Sequence, residues 1–111
     1  MKICMLNDIH MHEYHHYKSN LILYYNGQKY IKEQIDSILP QLSENDELVI
    51  SDDQSTDGTT EIIASYKDPR IRLFVNNKKH GVAHNFENAL AHAKGDIIFL
   101  SDQDDVWVEG K

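Results

Sequence analysis

The 111-residue sequence predicts an α/β domain in which a parallel sheet carries helices on both faces. Short apolar runs alternate along the chain with segments whose apolar residues recur at helical spacing. Runs such as residues 97–100 (IIFL) are unbroken, which is typical of strands buried on both faces. The resulting order β-α-β-α-β-α-β indicates a Rossmann-like, doubly wound parallel sheet, in which we expect the strand order 3-2-1-4.

The first predicted strand spans residues 21–25 (LILYY) and ends at Asn26 and Gly27, a strong turn sequence. Residues 29–39 follow with apolar side chains at helical spacing. Pro40 is expected to stop this first helix, because proline cannot donate a backbone hydrogen bond.

The later elements follow in the same alternation. Residues 48–50 form the second strand, and the polar run 54–60, rich in helix-capping residues, leads into a second helix around Ile62. Residues 71–75 alternate as a third strand, and residues 82–93 carry an apolar stripe that predicts a third helix. The run at 97–100 is the fourth strand. Four polar residues of the third helix are expected to face solvent: His84, Asn85, Asn88 and His92. The alternatives are that His80, His84 and His92 are metal ligands, and that Asn85 and Asn88 approach a bound ligand.

Residues 1–19 differ in composition from the rest of the chain. Their histidines surround a glutamate: His10, His12, His15 and His16, with Glu13. Such tracts can bind zinc or nickel, but no second cluster of Cys or His completes a closed zinc site. We therefore predict a disordered His-rich extension over residues 1–19 and a folded domain over residues 20–111.

Composition excludes several classes of protein. A formal charge of −7 argues against nucleic acid as a partner, since phosphate backbones require basic patches. The single cysteine, Cys4, cannot form an internal disulfide and suits a reducing compartment. The sequence contains no apolar run long enough to cross a bilayer and no signal-peptide pattern. We expect a cytoplasmic location.

Polar residues that could carry chemistry follow three of the predicted strands. The first strand ends in Tyr25, the second is followed by Asp53, and the fourth by a cluster of carboxylates that includes Asp102 and Asp104. Parallel sheets bind ligands at the carboxyl ends of their strands. In an extended segment Asp102 and Asp104 point the same way and could share a divalent cation that also holds phosphates. The alternative is a solvated acidic loop that caps a following helix.

These residues would suit a nucleotide diphosphate. The edge offers an aromatic ring for a base, a carboxylate that accepts a base N–H, and a carboxylate pair for a metal on the diphosphate. No GxGxxG sequence follows the first strand and no Walker A sequence occurs, so two common phosphate-binding loops are excluded.

Three segments resemble, in order and spacing, the nucleotide-binding half of family 2 glycosyltransferases. They are residues 25–39 (YNGQKYIKEQIDSIL), 47–63 (ELVISDDQSTDGTTEII) and 81–107, which ends in FLSDQDDVW. The resemblance implies a GT-A fold and an enzyme that transfers a sugar from a nucleotide-diphosphate donor with inversion. The SDQDDVW form is similar to members that make bacterial surface polysaccharides.

The resemblance also implies roles for single residues. Tyr25 corresponds to the residue that lies against the base, and Asp53 to the carboxylate that reads it. Asp102 and Asp104 correspond to the DxD pair, with Asp102 toward the ribose and Asp104 on Mg²⁺ or Mn²⁺. The implied donor is a UDP- or dTDP-linked sugar, and the implied acceptor is a saccharide or a lipid-linked molecule.

In the family, the general base and the acceptor-binding half follow the DxD loop. The chain stops at Lys111, so we expect a domain truncated after that loop, with the donor half only, no catalytic residue and no turnover alone. In the full-length protein a peripheral contact with the inner face of the membrane is a further expectation. Two alternatives stay open: a receiver-like signalling domain that binds Mg²⁺ and accepts a phosphoryl group, and a non-catalytic truncated remnant.

Overall fold

The computed structural model describes residues 17–101 in full and residues 2–5 as a backbone strand. The strands are β1 (Lys2–Met5), β2 (Lys18–Tyr24), β3 (Glu47–Asp52), β4 (Ile71–Val75) and β5 (Ile97–Ser101). The helices are α1 (Ile31–Ile38), α2 (Thr59–Ser65) and α3 (Val82–His92), with a 3₁₀ turn at Leu39–Gln41. No helix within these residues is long and apolar enough to cross a lipid bilayer.

The five strands form one parallel sheet in the order β1-β5-β2-β3-β4. The four strands predicted from the sequence are β2, β3, β4 and β5, and their order confirms the expected 3-2-1-4. Tyr24 of β2 pairs with Asp52 of β3, and Ile22 of β2 pairs with Ser101 of β5. The carboxyl ends of β2, β3 and β5 therefore lie along the same edge of the sheet.

Two apolar clusters lie on opposite faces of the sheet and confirm the doubly wound arrangement. Ile22 and Tyr24 of β2 pack on the face that α1 and α2 cover, whereas Leu21 packs toward Ala89 of α3 on the other face. Successive strand residues are buried on alternate faces, which explains why the strands read as unbroken apolar runs.

The start of ordered structure differs from the expected Asn20. Lys2–Met5 forms β1 and pairs with β5 from Lys2 opposite Ile97 to Met5 opposite Leu100. Without β1 the outer edge of β5 would present unpaired N–H and C=O groups, and an apolar segment can pair with such an edge. The histidine tract at residues 10–16 lies outside the described residues, and its disorder stays a prediction.

β2 also begins earlier than predicted, at Lys18. The Lys18 N–H donates to Asp46 Oδ1 at 3.1 Å, and the Ser19 hydroxyl donates to Glu47 Oε2 at 2.6 Å. Ser19 and Asn20 are buried polar residues, so the apolar pattern by which a strand is recognised begins only at Leu21.

Candidate functional site

The carboxyl edge of the sheet brings together Tyr25 and Asp53, two of the residues predicted from the sequence. Each lies one residue past its strand, Tyr25 after β2 and Asp53 after β3. The Asp53 N–H donates to the carbonyl of Tyr24 at 2.7 Å, so the two loops start side by side. β5 ends at the same edge with Ser101. Asp102 and Asp104 lie outside the described residues.

Side chains tie the loop after β2 to the loop after β3. Asn26 donates its N–H to Ser55 Oγ at 2.8 Å and accepts the Thr56 N–H on Oδ1 at 2.8 Å. The Gly27 N–H donates to Thr59 Oγ1 at 2.8 Å, at the start of α2. Asn26 has φ of +50°, a left-handed conformation that asparagine tolerates well. These bonds hold Tyr25 at a fixed place beside β3.

The loop after β3 is also held from within. Asp52 is buried and accepts both the N–H and the hydroxyl of Ser55, at 2.8 and 2.5 Å. Gln54 adopts φ of +63°, which costs a non-glycine residue about 1–2 kcal/mol. Its side-chain amide donates to the carbonyls of Asn76 and Lys78, both at 2.9 Å, and these bonds help to offset that cost.

Asp53 is the centre of the third connection, to the loop that follows β4. Its Oδ1 accepts from Asn76 Nδ2 at 2.9 Å, and its Oδ2 accepts from the Gly81 N–H at 2.9 Å. His80 Nδ1 lies 3.0 Å from the same Oδ2. Gly81 has φ of +143°, a conformation that side-chain-bearing residues rarely adopt. The chain after β4 therefore folds back over the end of β3.

His80 and Tyr25 form the open surface of this arrangement. Their rings meet edge to face, with centroids 4.8 Å apart and an interplanar angle of 72°. Tyr25 is 47% exposed and the His80 side chain 58%, whereas the Asp53 side chain beneath is 6% exposed. An aromatic ring with this exposure can stack on the flat face of a base.

The comparisons with known proteins identify the family. Residues 19–111 match the family model described as "Glycosyl transferase family 2". The chain belongs to glycosyl transferase family 2. The match begins one residue after the start of β2 and covers the segments that carry the resemblance in the sequence.

Curated relatives of this glycosyltransferase chain include two enzymes from Escherichia coli. The chain is 42% identical over 93 residues to WfaP and 37% identical over 87 residues to WfgD. Both are named as UDP-Glc:alpha-D-GlcNAc-diphosphoundecaprenol beta-1,3-glucosyltransferases. The alignments cover 84% and 78% of this chain but 37% and 34% of the relatives. The chain thus spans little more than a third of the length of these enzymes.

Solved structures confirm the GT-A fold. Residues 1–349 of S. aureus TarS in complex with UDP align with a TM-score of 0.74 at 28% identity, over 81% of this chain and 28% of that TarS fragment. The mannosyltransferase PcManGT from Pyrobaculum calidifontis, solved with GDP-Man and Mn²⁺, aligns with a TM-score of 0.76 at 28% identity, over 86% of this chain and 29% of that one.

The contacts of Asp53 identify two site residues, Asn76 and His80, that the sequence did not predict. Asn76 is fully buried and bridges Asp53 to the carbonyl of Lys79, yet a single asparagine after a strand reads as an ordinary loop residue. His80 is one of seven histidines in the sequence, and its spacing from the other residues does not indicate a contact with Asp53. Its one detectable feature was its place in the polar loop after the third predicted strand.

Three residues of α3 correct the expectation that its polar side chains face solvent. Asn85 is buried, accepts from the Ser51 hydroxyl at 2.5 Å and donates to the Ser51 carbonyl at 3.0 Å. Asn88 donates to Ser51 Oγ at 2.8 Å, and the ring of His92 stacks on Phe74 with centroids 3.8 Å apart. Asn85 and Asn88 therefore fix α3 to β3 under the candidate site.

The described residues, 17–101, contain no cluster of three His, Cys, Asp or Glu side chains that could hold a metal ion. His80, His84 and His92 thus do not form such a cluster. The predicted metal ligand, Asp104, follows β5 and lies outside these residues.

Proposed function

We propose that this chain is the donor-binding part of an inverting glycosyltransferase. The enzyme would transfer a sugar from a nucleotide-diphosphate donor to a saccharide or lipid-linked acceptor in bacterial surface polysaccharide synthesis. The observation that carries the proposal is the exposed Tyr25 ring beside Asp53 at the carboxyl edge of a family 2 sheet. The names of WfaP and WfgD, both glucosyltransferases that use UDP-Glc, support this direction.

The nucleotide would lie with its base against Tyr25. The ring is accessible, and its loop is fixed by the bonds of Asn26 and Gly27, so little ordering would be required on binding. A UDP- or dTDP-linked sugar is the proposed donor. Support comes from the TarS structures, which contain UDP in one case and UDP-GlcNAc in another.

The phosphates would lie toward the acidic segment that follows β5. We propose Asp102 toward the ribose and Asp104 as the ligand of Mg²⁺ or Mn²⁺, since carboxylate oxygens suit these hard cations. Such a cation, when bound, stabilises negative charge on a leaving diphosphate. The presence of Mn²⁺ in the PcManGT structure supports a divalent cation in a related protein.

The general base and the acceptor site would lie in sequence beyond this chain. The relatives are almost three times as long as the part that the chain spans, and in the family the general base follows the DxD loop. We therefore propose that the chain binds a donor but does not turn over alone. A cytoplasmic location, at the inner face of the membrane in the full-length protein, completes the proposal.

The receiver-like alternative conflicts with the sheet. The receiver-type order 2-1-3-4-5 places the first strand between the second and the third. In this chain β2 is the first of the four predicted strands. It lies between β3, the second, and β5, the fourth, rather than between the second and the third.

Calorimetry of the 111-residue chain tests the proposal. UDP-glucose, dTDP-rhamnose and GDP-mannose are titrated with and without Mn²⁺, and acetyl phosphate with Mg²⁺ serves as the control for a receiver. Tyr25→Ala should weaken binding of the preferred nucleotide about tenfold, at the lower end of what one base–aromatic stack contributes. Tyr17→Ala is the matched control, because Tyr17 is 55% exposed but precedes β2 at the opposite edge.

Two results would contradict the proposal. One is that the parent chain binds none of the three nucleotide sugars. The other is that Tyr17→Ala and Tyr25→Ala weaken binding equally, which would place the nucleotide away from the carboxyl edge.

A further inference from the structure

An open apolar groove lies between the first turn of α3 and the ends of β2 and β5. Its volume is about 440 Å³, and one serine joins five apolar residues in its lining: Leu23, Val82, Ala83, Phe86, Leu100 and Ser101. Val82 and Phe86 are one helical turn apart and therefore lie on the same side of α3. Val82 is 78% exposed. Exposed apolar surface that is contiguous commonly marks a place where another group binds.

The groove opens where β5 ends. Ile22 of β2 pairs with Ser101, the last residue of β5, so Leu23 lies one residue beyond the paired part of β5. Leu23, Leu100 and Phe86 are partly buried and pack against the apolar cluster on the face of the sheet that α3 covers. A chain that continues from Ser101 therefore starts at the rim of the groove.

The chain itself supplies an apolar segment at this rim. Residues 102–111 lie outside the described residues and follow Ser101 directly. Their only apolar side chains are consecutive: Val106, Trp107 and Val108. The six residues from Ser101 to Trp107 span at most about 20 Å, and the five between them are an ordinary length for a connection that turns back. Trp107 is thus within reach of the groove.

We infer that Trp107 docks in this groove, against Val82 of α3 and the ends of β2 and β5. A tryptophan buries about 150–250 Å² of surface, so it gains more from an apolar groove than the valine on either side of it. The polar residues 102–105 stay outside, because burying a carboxylate without a partner is costly. A tethered segment acts at an effective concentration in the millimolar range, which favours it over a second copy of the chain.

Docking anchors the acidic run 102–105 at both ends. Ser101 fixes one end in the sheet, and Trp107 fixes the other at α3. A loop held at both ends has less freedom to lose when it engages a ligand. Trp107 is then a positioning residue for Asp102 and Asp104. This consequence rests on the proposed function, whereas the docking itself does not.

Fluorescence and NMR of the 111-residue chain test the docking directly, because Trp107 is the single tryptophan. Its emission should lie at shorter wavelength than that of N-acetyltryptophanamide in water, and acrylamide should quench it several-fold less. The indole protons should show nuclear Overhauser contacts to methyl groups of Leu23, Val82 and Leu100. Dilution should change none of these signals, since the occupant belongs to the same chain.

Two exposed valines provide a variant and its matched control. Val82→Asn places an amide in the groove, so it should shift the emission to longer wavelength and increase quenching. The high exposure of Val82 makes a loss of folding unexpected, and circular dichroism checks this. Val75→Asn should leave the emission unchanged, because Val75 is 40% exposed at the end of β4, three strands away from β5.

Calorimetry tests the positioning role. Trp107→Ala should weaken binding of UDP-glucose in the presence of Mn²⁺ several-fold, because the acidic run would have to be ordered on binding. Uridine lacks phosphates and should bind this variant as it binds the parent.

Each result decides one part of the inference. Emission equal to that of the free amide, missing contacts to the groove, or equal effects of Val82→Asn and Val75→Asn would overturn the docking. Signals that disappear on dilution would assign the groove to a second copy and overturn it as well. If Trp107 docks but Trp107→Ala binds UDP-glucose like the parent, the positioning role is overturned. If the parent binds no nucleotide sugar, the proposed function and the positioning role fall, whereas the fluorescence and NMR results still decide the docking.

Discussion

Replacing Asn76 with alanine should loosen the candidate site and lower the free energy of unfolding together. Asn76 is fully buried, its Nδ2 donates to Asp53 at 2.9 Å and to the Lys79 carbonyl at 3.1 Å, and its Oδ1 accepts the Lys78 N–H at 3.2 Å. The bond to a buried carboxylate contributes about 1.5–3 kcal/mol, and each neutral bond about 0.5–1.5 kcal/mol.

Two of the three hydrogen bonds that Asn76 makes can be replaced by water in the variant, which limits the loss in the free energy of unfolding. Lys78 and Lys79 are exposed, so their backbone groups can bind water in the variant, whereas Asp53 would lose a donor inside the fold. We therefore expect a decrease of about 2–3 kcal/mol in the free energy of unfolding, mostly from the carboxylate. Urea denaturation followed by circular dichroism measures it, and Asn77→Ala, at an exposed neighbouring position, is the control. A loss below about 0.5 kcal/mol, the usual range for surface substitutions, would refute the reasoning.

Two further predictions concern charge. Burial alone would raise the pKa of Glu47, but the Lys94 N–H, the Ser19 hydroxyl and Arg72 together lower the pKa below its usual value. Since the folded pKa lies below the unfolded one, the stabilisation is present above the usual glutamate value of about 4.3 and is lost as the pH falls through the folded value. Glu47→Gln should therefore flatten the fall in stability below about pH 5, where carboxylates begin to protonate, whereas the exposed Glu44→Gln should leave it unchanged. Asp104→Asn should weaken Mn²⁺-dependent binding of UDP-glucose by about 2 kcal/mol without changing uridine binding. Asp105 follows it directly and points the other way in an extended segment, so Asp105→Asn should have the smaller effect. Calorimetry measures the affinity of each of these two variants for UDP-glucose. Equal losses of affinity in Asp104→Asn and Asp105→Asn would mean that the acidic segment is only a solvated loop.

The sequence predicted the central part of the fold because apolar periodicity and burial coincide there. β3 and β5 are apolar runs buried on both faces, and such runs can be read without knowledge of their neighbours. β1 could not be predicted in this way, since its pairing depends on an edge of β5 about ninety residues later in the chain. The buried hydrogen bond between the Tyr24 hydroxyl and Gln34 could not be predicted either, because a glutamine in a helix ordinarily fits an exposed position.

The site was predictable to the extent that topology determines it. The position of Tyr25 and Asp53 at one edge follows from the rule that parallel strands end together, and the structure confirms it. The burial of Asp53 does not follow from that rule. It depends on Asn76 and Gly81, which lie more than twenty residues away and form their bonds only when the loop after β4 folds back.

These contacts make the three loops of the edge mechanically dependent on one another. The loop after β2 is fixed by Ser55 and Thr56 of the loop after β3, and that loop is fixed in turn by Asn76 and Gly81. The exposed rings of Tyr25 and His80 make their edge-to-face contact at the surface of this arrangement, one from the first loop and one from the third. A substitution of Ser55 or Thr56 in the middle loop should therefore change nucleotide affinity indirectly, because it frees the loop that carries Tyr25, the ring on which the base is proposed to stack.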